Sequence, residues 1–506
     1  MDRTHSRRDF MRTLATGAAA TLASSELSRA RAQSPKWVGI QIGPHSLYDE
    51  GIERVLDLLQ ESAGVNTLLV YSHTYYTADD IRLKRSPGVL ATDHGVPVRD
   101  IGARDLPYVW VRHHEEYFKA TVLRHPPPGK EQEYSDRDLF SELAETVRRR
   151  GMKLYARVLE PFRVDTAEVI PNWVQVMTVD VFGRTGEVPC WNHPDYRNWW
   201  LATVEDLFKS YELDGFQWGA ERVGPLSNLL YRGTIPYCFC PHCRARCRDK
   251  GIDVERARQG LRELHDFVQG LLSSEARPVD GVLTTLFRHF FQYPEILAWE
   301  RQWRESKEEL FAQMCGSIKA IVPAADVGRH IDHPGSTFDL LYRAEWSYAE
   351  MARTCDFIKP ILYHDIAGPR LRYWYLDRLQ KTILSELSLE QSTELFYALK
   401  GYDRTVEPRV DELERRGFTP DYVYRETKRC VEAVGGRAKI YAGIGIDIPW
   451  NYQERVPSDP ENVYGAVMRA FEAGASGVLA SREYDEMRLA GLRAFGRAVR
   501  ESHAVA

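Results

Sequence analysis

The chain predicts an eight-stranded parallel β/α barrel, on three observations. Eight apolar segments of strand length recur along it, at 37–43, 65–71, 152–159, 213–219, 326–331, 356–363, 439–446 and 477–480. A helical pattern follows each of them. The structural alternative, a doubly wound open sheet, lacks its glycine-rich phosphate loop. Strand then helix, eight times over, is the count of a (β/α)8 TIM barrel.

Each element has its own warrant. The 37–43 run is apolar without alternation, as suits a strand buried on both faces, and a periodic segment at 49–61 follows. After the second strand, a connection rich in Pro and His extends to about residue 134. Ser135 suits an N-cap and Gly151 a stop for a helix over 135–150. The third strand ends at Glu160, and an irregular aromatic stretch leads to a helix over 194–211 and then to strand four. An insertion over 225–295 precedes a long helix at 297–321 and strand five. A mostly helical connection over 373–434 follows strand six, a capped helix over 458–473 separates the last two strands, and a helix over 485–500 closes the set. Long insertions after strands 2, 4 and 6 enlarge the barrel, and with no linker or repeat the reading is one domain over 33–506.

Composition narrows the class. The chain has 506 residues, 43% hydrophobic and 27% charged, as in an ordinary soluble globular protein. A net charge of −5 offers no basic field for nucleic acid or an anionic membrane. The aromatic content (Trp 12, Tyr 26, Phe 19) suits either a large core or a carbohydrate cleft.

The first 32 residues read as an address. Ser6-Arg7-Arg8-Asp9-Phe10-Met11-Arg12 resembles a twin-arginine export signal, followed by an Ala/Gly-rich run and the cleavage pattern Ala30-Arg31-Ala32. This predicts passage through the twin-arginine export machinery and a mature chain starting near Gln33. The mature chain would be periplasmic or secreted, with no run long enough for membrane insertion. The sequence leaves the oligomeric state open.

Cys238, Cys240 and Cys243 form a Cys-x-Cys-x-x-Cys cluster. Eight cysteines in an exported protein would suggest disulfides, but clustering this tight favours a metal. Soft sulfur ligands suit Zn2+, and an all-cysteine set is a structural rather than a catalytic site. Cys190 is the natural fourth ligand, with Cys247 and His242 behind it.

In a parallel barrel the C-terminal strand ends build the site. Here they offer His45, His73, Glu160, Glu221, Asp332, Tyr363, His364, Asp447, Arg482 and Glu483. The order Cys190, Glu221, then the thiolate cluster resembles the zinc-containing beta-galactosidases of glycoside hydrolase family 42. Phe216-Gln217-Trp218-Gly219-Ala220-Glu221 is similar to that family's aromatic-Gln-x-Asp-Asn-Glu strand, with Gln217 and Glu221 in register. Gly219 and Ala220 stand where the family has Asp and Asn, and the likeness covers about 173–249. The chain therefore resembles a distant relative among exported glycosyl-hydrolase-like proteins. The resemblance implies a glycoside substrate, Glu221 as acid/base and Asp447 as nucleophile or base.

Breaking a glycosidic bond takes one carboxylic acid and one carboxylate. An aromatic-flanked strand end is expected to raise the pKa of Glu221 by desolvation. For its partner, Glu483 and Glu160 are the alternatives to Asp447. Substrate contacts are expected from His45, His73, Glu160, Gln217, Trp218, Tyr363, His364, Trp450 and Arg482, with Trp218, Trp450, Tyr363 and Tyr484 as stacking faces. The expected activity is that of an O-glycosyl hydrolase. Two other classes stay open: a non-hydrolytic carbohydrate-binding barrel, and a metal-dependent lyase or isomerase using His45, His73, His330 and His364.

Overall fold

The structure, a computed structural model, describes residues 36–75, 93–94, 108–126, 134–162, 166–167, 169–274, 276–448 and 457–504. The expected signal over 1–32 and Trp450 lie outside these residues.

The described residues hold eleven strands, in chain order β1 (Trp37–Ile42), β2 (Thr67–Thr74), β3 (Tyr108–Val109), β4 (Lys153–Leu159), β5 (Met177–Val179), β6 (Thr185–Pro189), β7 (Gly215–Gly219), β8 (Asp326–Ile331), β9 (Phe357–Leu362), β10 (Lys439–Gly445) and β11 (Gly477–Ser481). Eight of them, β1, β2, β4, β7, β8, β9, β10 and β11, pair in parallel in that order, and the β1–β2 pairing closes the ring. This is the expected (β/α)8 barrel. The long connections also fall where expected, after its second, fourth and sixth strands. β3 adds antiparallel to β2, with His73 opposite Val109. β5 and β6 form a separate hairpin in the stretch that reads as irregular from sequence. Its short strands give too few alternations to be seen.

The period-2 alternation of side chains sorts each strand into an inner and an outer face. On β4, Tyr155 and Arg157 face in while Leu154, Ala156 and Val158 join the core against the helices. On β9, Phe357 and Lys359 face in, and on β10 Tyr441. The rings of Tyr155, Phe357 and Tyr441 make a lower layer, with Phe357 centred 6.0 Å from Tyr155 and 4.9 Å from Tyr441. Two glycines make room for these inner side chains. A Cβ on Gly328 would lie 2.4 Å from the Phe357 ring, and one on Gly443 would lie 2.2 Å from Cε of Lys359. Above the aromatic layer the barrel turns polar, and there the candidate site begins.

Candidate active site

The upper layer is a continuous hydrogen-bond network of buried groups. Arg157 donates from Nε to Gln217 Oε1 at 3.1 Å and from Nη1 to Glu483 at 3.3 Å. Tyr71 donates to the same Glu483 oxygen at 2.7 Å, beneath the Arg157 guanidinium. Lys359 Nζ donates to Ser481 Oγ at 3.0 Å, to Tyr363 at 3.4 Å and to His330 Nδ1 at 3.3 Å. Burial and the neighbouring Arg157 push the Lys359 pKa well below that of an ordinary lysine.

His330 passes the chain of contacts to Glu221. Its Nδ1 accepts from Lys359, so its Nε2 carries the proton and donates to Glu221 Oε1 at 2.7 Å. Burial and Lys359 hold the ring's pKa down at about 3. The Glu221 side chain is 37% exposed, so a ligand in the barrel mouth can reach it. Desolvation pushes its pKa up, as the sequence suggests, but the His330 hydrogen bond and the Arg157 charge pull it down. The result is a carboxyl held down at about 2. The expected upward shift is therefore corrected: Glu221 is ionised at neutral pH.

A raised carboxyl beside it is Asp332, just past β8; that of Glu160, held by Arg222 and Tyr196, is raised by burial as well. Burial, then the charge of Glu221, lift the Asp332 pKa to about 7, against the pull of Lys307 and the 3.1 Å hydrogen bond from the Gly335 amide. Burial and a like charge thus raise one carboxyl of this pair, while a hydrogen bond holds the other down.

The segment carrying Glu221 is clamped on both sides. Lys307 Nζ donates to Ala220 O at 2.8 Å. Arg222 spans Glu160, Nε to Oε2 at 3.1 Å and Nη2 to Oε1 at 2.5 Å, and Glu160 also accepts from Tyr196. Arg222 Nη1 donates to Pro189 O at 2.7 Å, next to Cys190, and its guanidinium stacks 3.6 Å over Trp191.

Beside that clamp lie the four cysteines. Cys190, Cys238, Cys240 and Cys243 are all buried, and their sulfurs lie within 4.8 Å of one another. Cys190 Sγ is 3.4 Å from Cys240 and 3.5 Å from Cys243, too far for a disulfide and close to the edge length of a tetrahedral thiolate site. Amides from Asn192 point at the sulfurs of Cys190 and Cys243, at 3.3 Å each. This donor set can hold a metal ion. Cys247 packs in a separate apolar cluster and His242 stands against His193, so Cys190 completes the set.

The remaining predicted residues divide. Gln217, Tyr363 and Glu483 join the network around Arg157 and Lys359. Glu160 is brought near, but its carboxylate is taken up by Arg222 and Tyr196. Asp447 is fully buried: Oδ1 accepts from the Ser458 amide at 3.0 Å and Oδ2 from the Arg488 amide at 2.9 Å, with the Arg488 guanidinium alongside. Trp218 lies on the outer face of β7, between Trp191, Trp200 and Phe311, and presents no stacking face to the mouth. Its position follows from parity: 217, 219 and 221 share the inner side and 218 takes the other. Tyr484 is likewise buried, donating to Glu50 at 2.9 Å.

His45 pairs with Asp485 at 3.2 Å, and Arg482 with Glu486 at 3.0 Å. His364 is buried, and its backbone carbonyl accepts from the Phe418 amide at 2.7 Å. A register shift between Tyr71 and His73 breaks the alternation of β2, and His73 packs against His113 and His125. Among the described residues, His45, His330 and His364 join no metal-ligand cluster.

Arg157, Lys307 and Lys359 escape the strand-end reading because they sit inside elements. Two of them did carry a signal: a cation within the apolar strands Lys153–Leu159 and Phe357–Leu362, on the inner parity.

No protein-family model and no curated protein matches this chain. Solved structures that this chain resembles include the following. The PgaB (BpsB) glycoside hydrolase domain from Bordetella bronchiseptica is 12% identical with a TM-score of 0.46, over 89% of this chain and 94% of that one. A beta-galactosidase from the Antarctic haloarchaeon Halorubrum lacusprofundi is also 12% identical, with a TM-score of 0.49, over 92% of this chain and 58% of that one. An alpha-L-fucosidase isoenzyme from Paenibacillus thiaminolyticus is 12% identical with a TM-score of 0.42, over 92% of this chain and 49% of that one.

Proposed function

We propose that this barrel is an O-glycosyl hydrolase and that Glu221 and Asp332 are its carboxyl pair. The observation that carries the reading is the place of Glu221, open to the barrel mouth and hydrogen-bonded to His330 Nε2 at 2.7 Å, beside the buried Asp332 whose carboxyl is lifted by burial and by the Glu221 charge. Asp332, protonated up to neutrality, gives its proton to the leaving glycosidic oxygen. Ionised Glu221, oriented by His330, meets the anomeric carbon directly or through a water that it deprotonates. This keeps Glu221 at the centre and reverses the expected polarity. Asp447, committed to Ser458 and Arg488, has no part in it. The donors and acceptors of Arg157, Gln217, Lys359, Tyr363 and Glu483 suit the hydroxyls of a sugar.

The four-cysteine set is read as a structural Zn2+ site that holds the loop beneath the Glu221 clamp. An exported enzyme, periplasmic or secreted, is in keeping with the twin-arginine pattern.

The deciding experiment is hydrolysis of a panel of aryl and natural glycosides by the mature protein, beside Glu221→Gln and Asp332→Asn. Cleavage that collapses in both variants supports the pair. A folded, metal-loaded wild type that cleaves nothing, or variants that match it, would overturn the mechanism and leave a carbohydrate-binding barrel.

A further inference from the structure

A second cluster of ligating side chains lies outside the barrel mouth. His73, near the end of β2, meets His113 and His125, which follow β3 on the connection after the second barrel strand. One ring nitrogen from each lies within 4.8 Å of the others. The cluster shares no residue with the carboxyl pair or the four cysteines.

The outer hydrogen bonds settle which nitrogens are available. Thr203 spends its proton on Trp199 O at 2.7 Å, so its oxygen accepts from His125 Nε2 at 2.9 Å, and His125 is left with a lone pair on Nδ1. Asp206 accepts from His113 Nδ1 at 2.6 Å, which leaves a lone pair on His113 Nε2. That atom faces His73 Nε2 at 2.6 Å, while the other nitrogen of His73 is 2.9 Å from Ser72 Oγ, a partner that can take its proton. The Tyr75 hydroxyl donates to His125 Nδ1 at 2.5 Å, a contact the ion would replace. Three imidazoles, each with its far nitrogen held by a carboxylate or a hydroxyl, form the arrangement that orients histidine ligands around a metal.

We propose that His73, His113 and His125 bind a divalent transition ion of the imidazole-preferring class typified by Zn2+, beside the Tyr75 hydroxyl. The ion ties the segment 108–126 to β2 and, through Asp206 and Thr203, to the helix Pro194–Ser210. It is distinct from the thiolate site in both donor chemistry and location, and it does not depend on the reading of the carboxyl pair.

The test strips the mature protein with a chelator, reloads it with Zn2+ or Co2+, and counts metal per chain with the ligand shell read by X-ray absorption. His113→Gln and His125→Gln are each expected to carry one equivalent less than wild type, with loss of nitrogen scatterers and no change in sulfur. Thr203→Val removes the outer hydrogen bond to His125, along with the hydroxyl's bond to Trp199 O within its own helix, and keeps a side chain of similar shape. It should weaken this site about 10–100-fold while the fold is retained. Equal metal content in wild type and the histidine variants, or a wild type whose bound metal has a sulfur shell alone, would overturn the proposal. If the histidine variants do not fold, unchanged affinity in Thr203→Val overturns it in their place.

Discussion

Arg222 reaches back from the end of β7 to clasp Glu160 at the end of β4, and both side chains are withdrawn from solvent. Sequence alone allows Arg222 to pair with its neighbour Glu221. The clasp on Glu160 leaves Glu221 to His330 and to the barrel mouth.

Breaking that clasp should be costly. Arg222→Met strands a buried carboxylate, and the expected loss is about 3–5 kcal/mol of unfolding free energy. Glu160→Gln sets an amide NH2 against one Arg222 N–H and leaves the buried guanidinium charge unpaired, so it should lose a comparable amount. Denaturant titration of both variants checks this, and a neutral Glu160→Gln would contradict it.

The pH profile should report the split pair. Activity on a cleaved glycoside is expected to fall as pH rises through about 7, where Asp332 loses its proton, and to fall in acid towards about 2, where Glu221 gains one. His330→Ala removes the hydrogen bond that favours the Glu221 anion. Its pKa must then rise towards the ordinary 4.5, and the acidic limb moves to higher pH. Asp332→Asn should lower kcat by about 10²–10⁴-fold and abolish the alkaline limb. An acidic limb unmoved in His330→Ala would count against Glu221 as the base.

Asp447 should behave as a structural residue. In Asp447→Ala the amides of Ser458 and Arg488 lose their acceptors, at a cost of about 1–3 kcal/mol for a buried unsatisfied group. Its kcat/KM, measured where the variant is still folded, should stay close to wild type. A loss of activity as deep as that of Glu221→Gln, with unchanged stability, would restore Asp447 to the chemistry.

The cysteine set predicts a countable metal. Cys190→Ser is expected to lose one equivalent, and with Co2+ the thiolate-to-metal absorption should disappear. The unfolding midpoint should fall as well, because metal binding contributes to folding free energy. Metal content equal to wild type would show that Cys190 is no ligand.

The barrel was legible because its signals are local. Apolar runs of strand length and the helical patterns between them are read within a few residues. The Cys-x-Cys-x-x-Cys spacing brings three ligands together within one turn. Even the burial of Trp218 could have been read, by counting alternate positions from Glu221 down β7. The β5–β6 hairpin was hidden, since strands of 3 and 5 residues carry little periodicity.

By itself, then, the sequence determined the eight-fold repeat of strand and helix, the thiolate cluster and the placement of Glu221 at a strand end. Tertiary structure alone decided which charges meet. His330 lies 109 residues from Glu221, and Glu160 lies 62 from Arg222. Closing the barrel brings these strand ends around one mouth. A carboxyl's pKa is set there by the balance of desolvation against the donors and charges packed beside it. That balance holds the Glu221 carboxyl down and lifts that of Asp332, and no local stretch of sequence contains it.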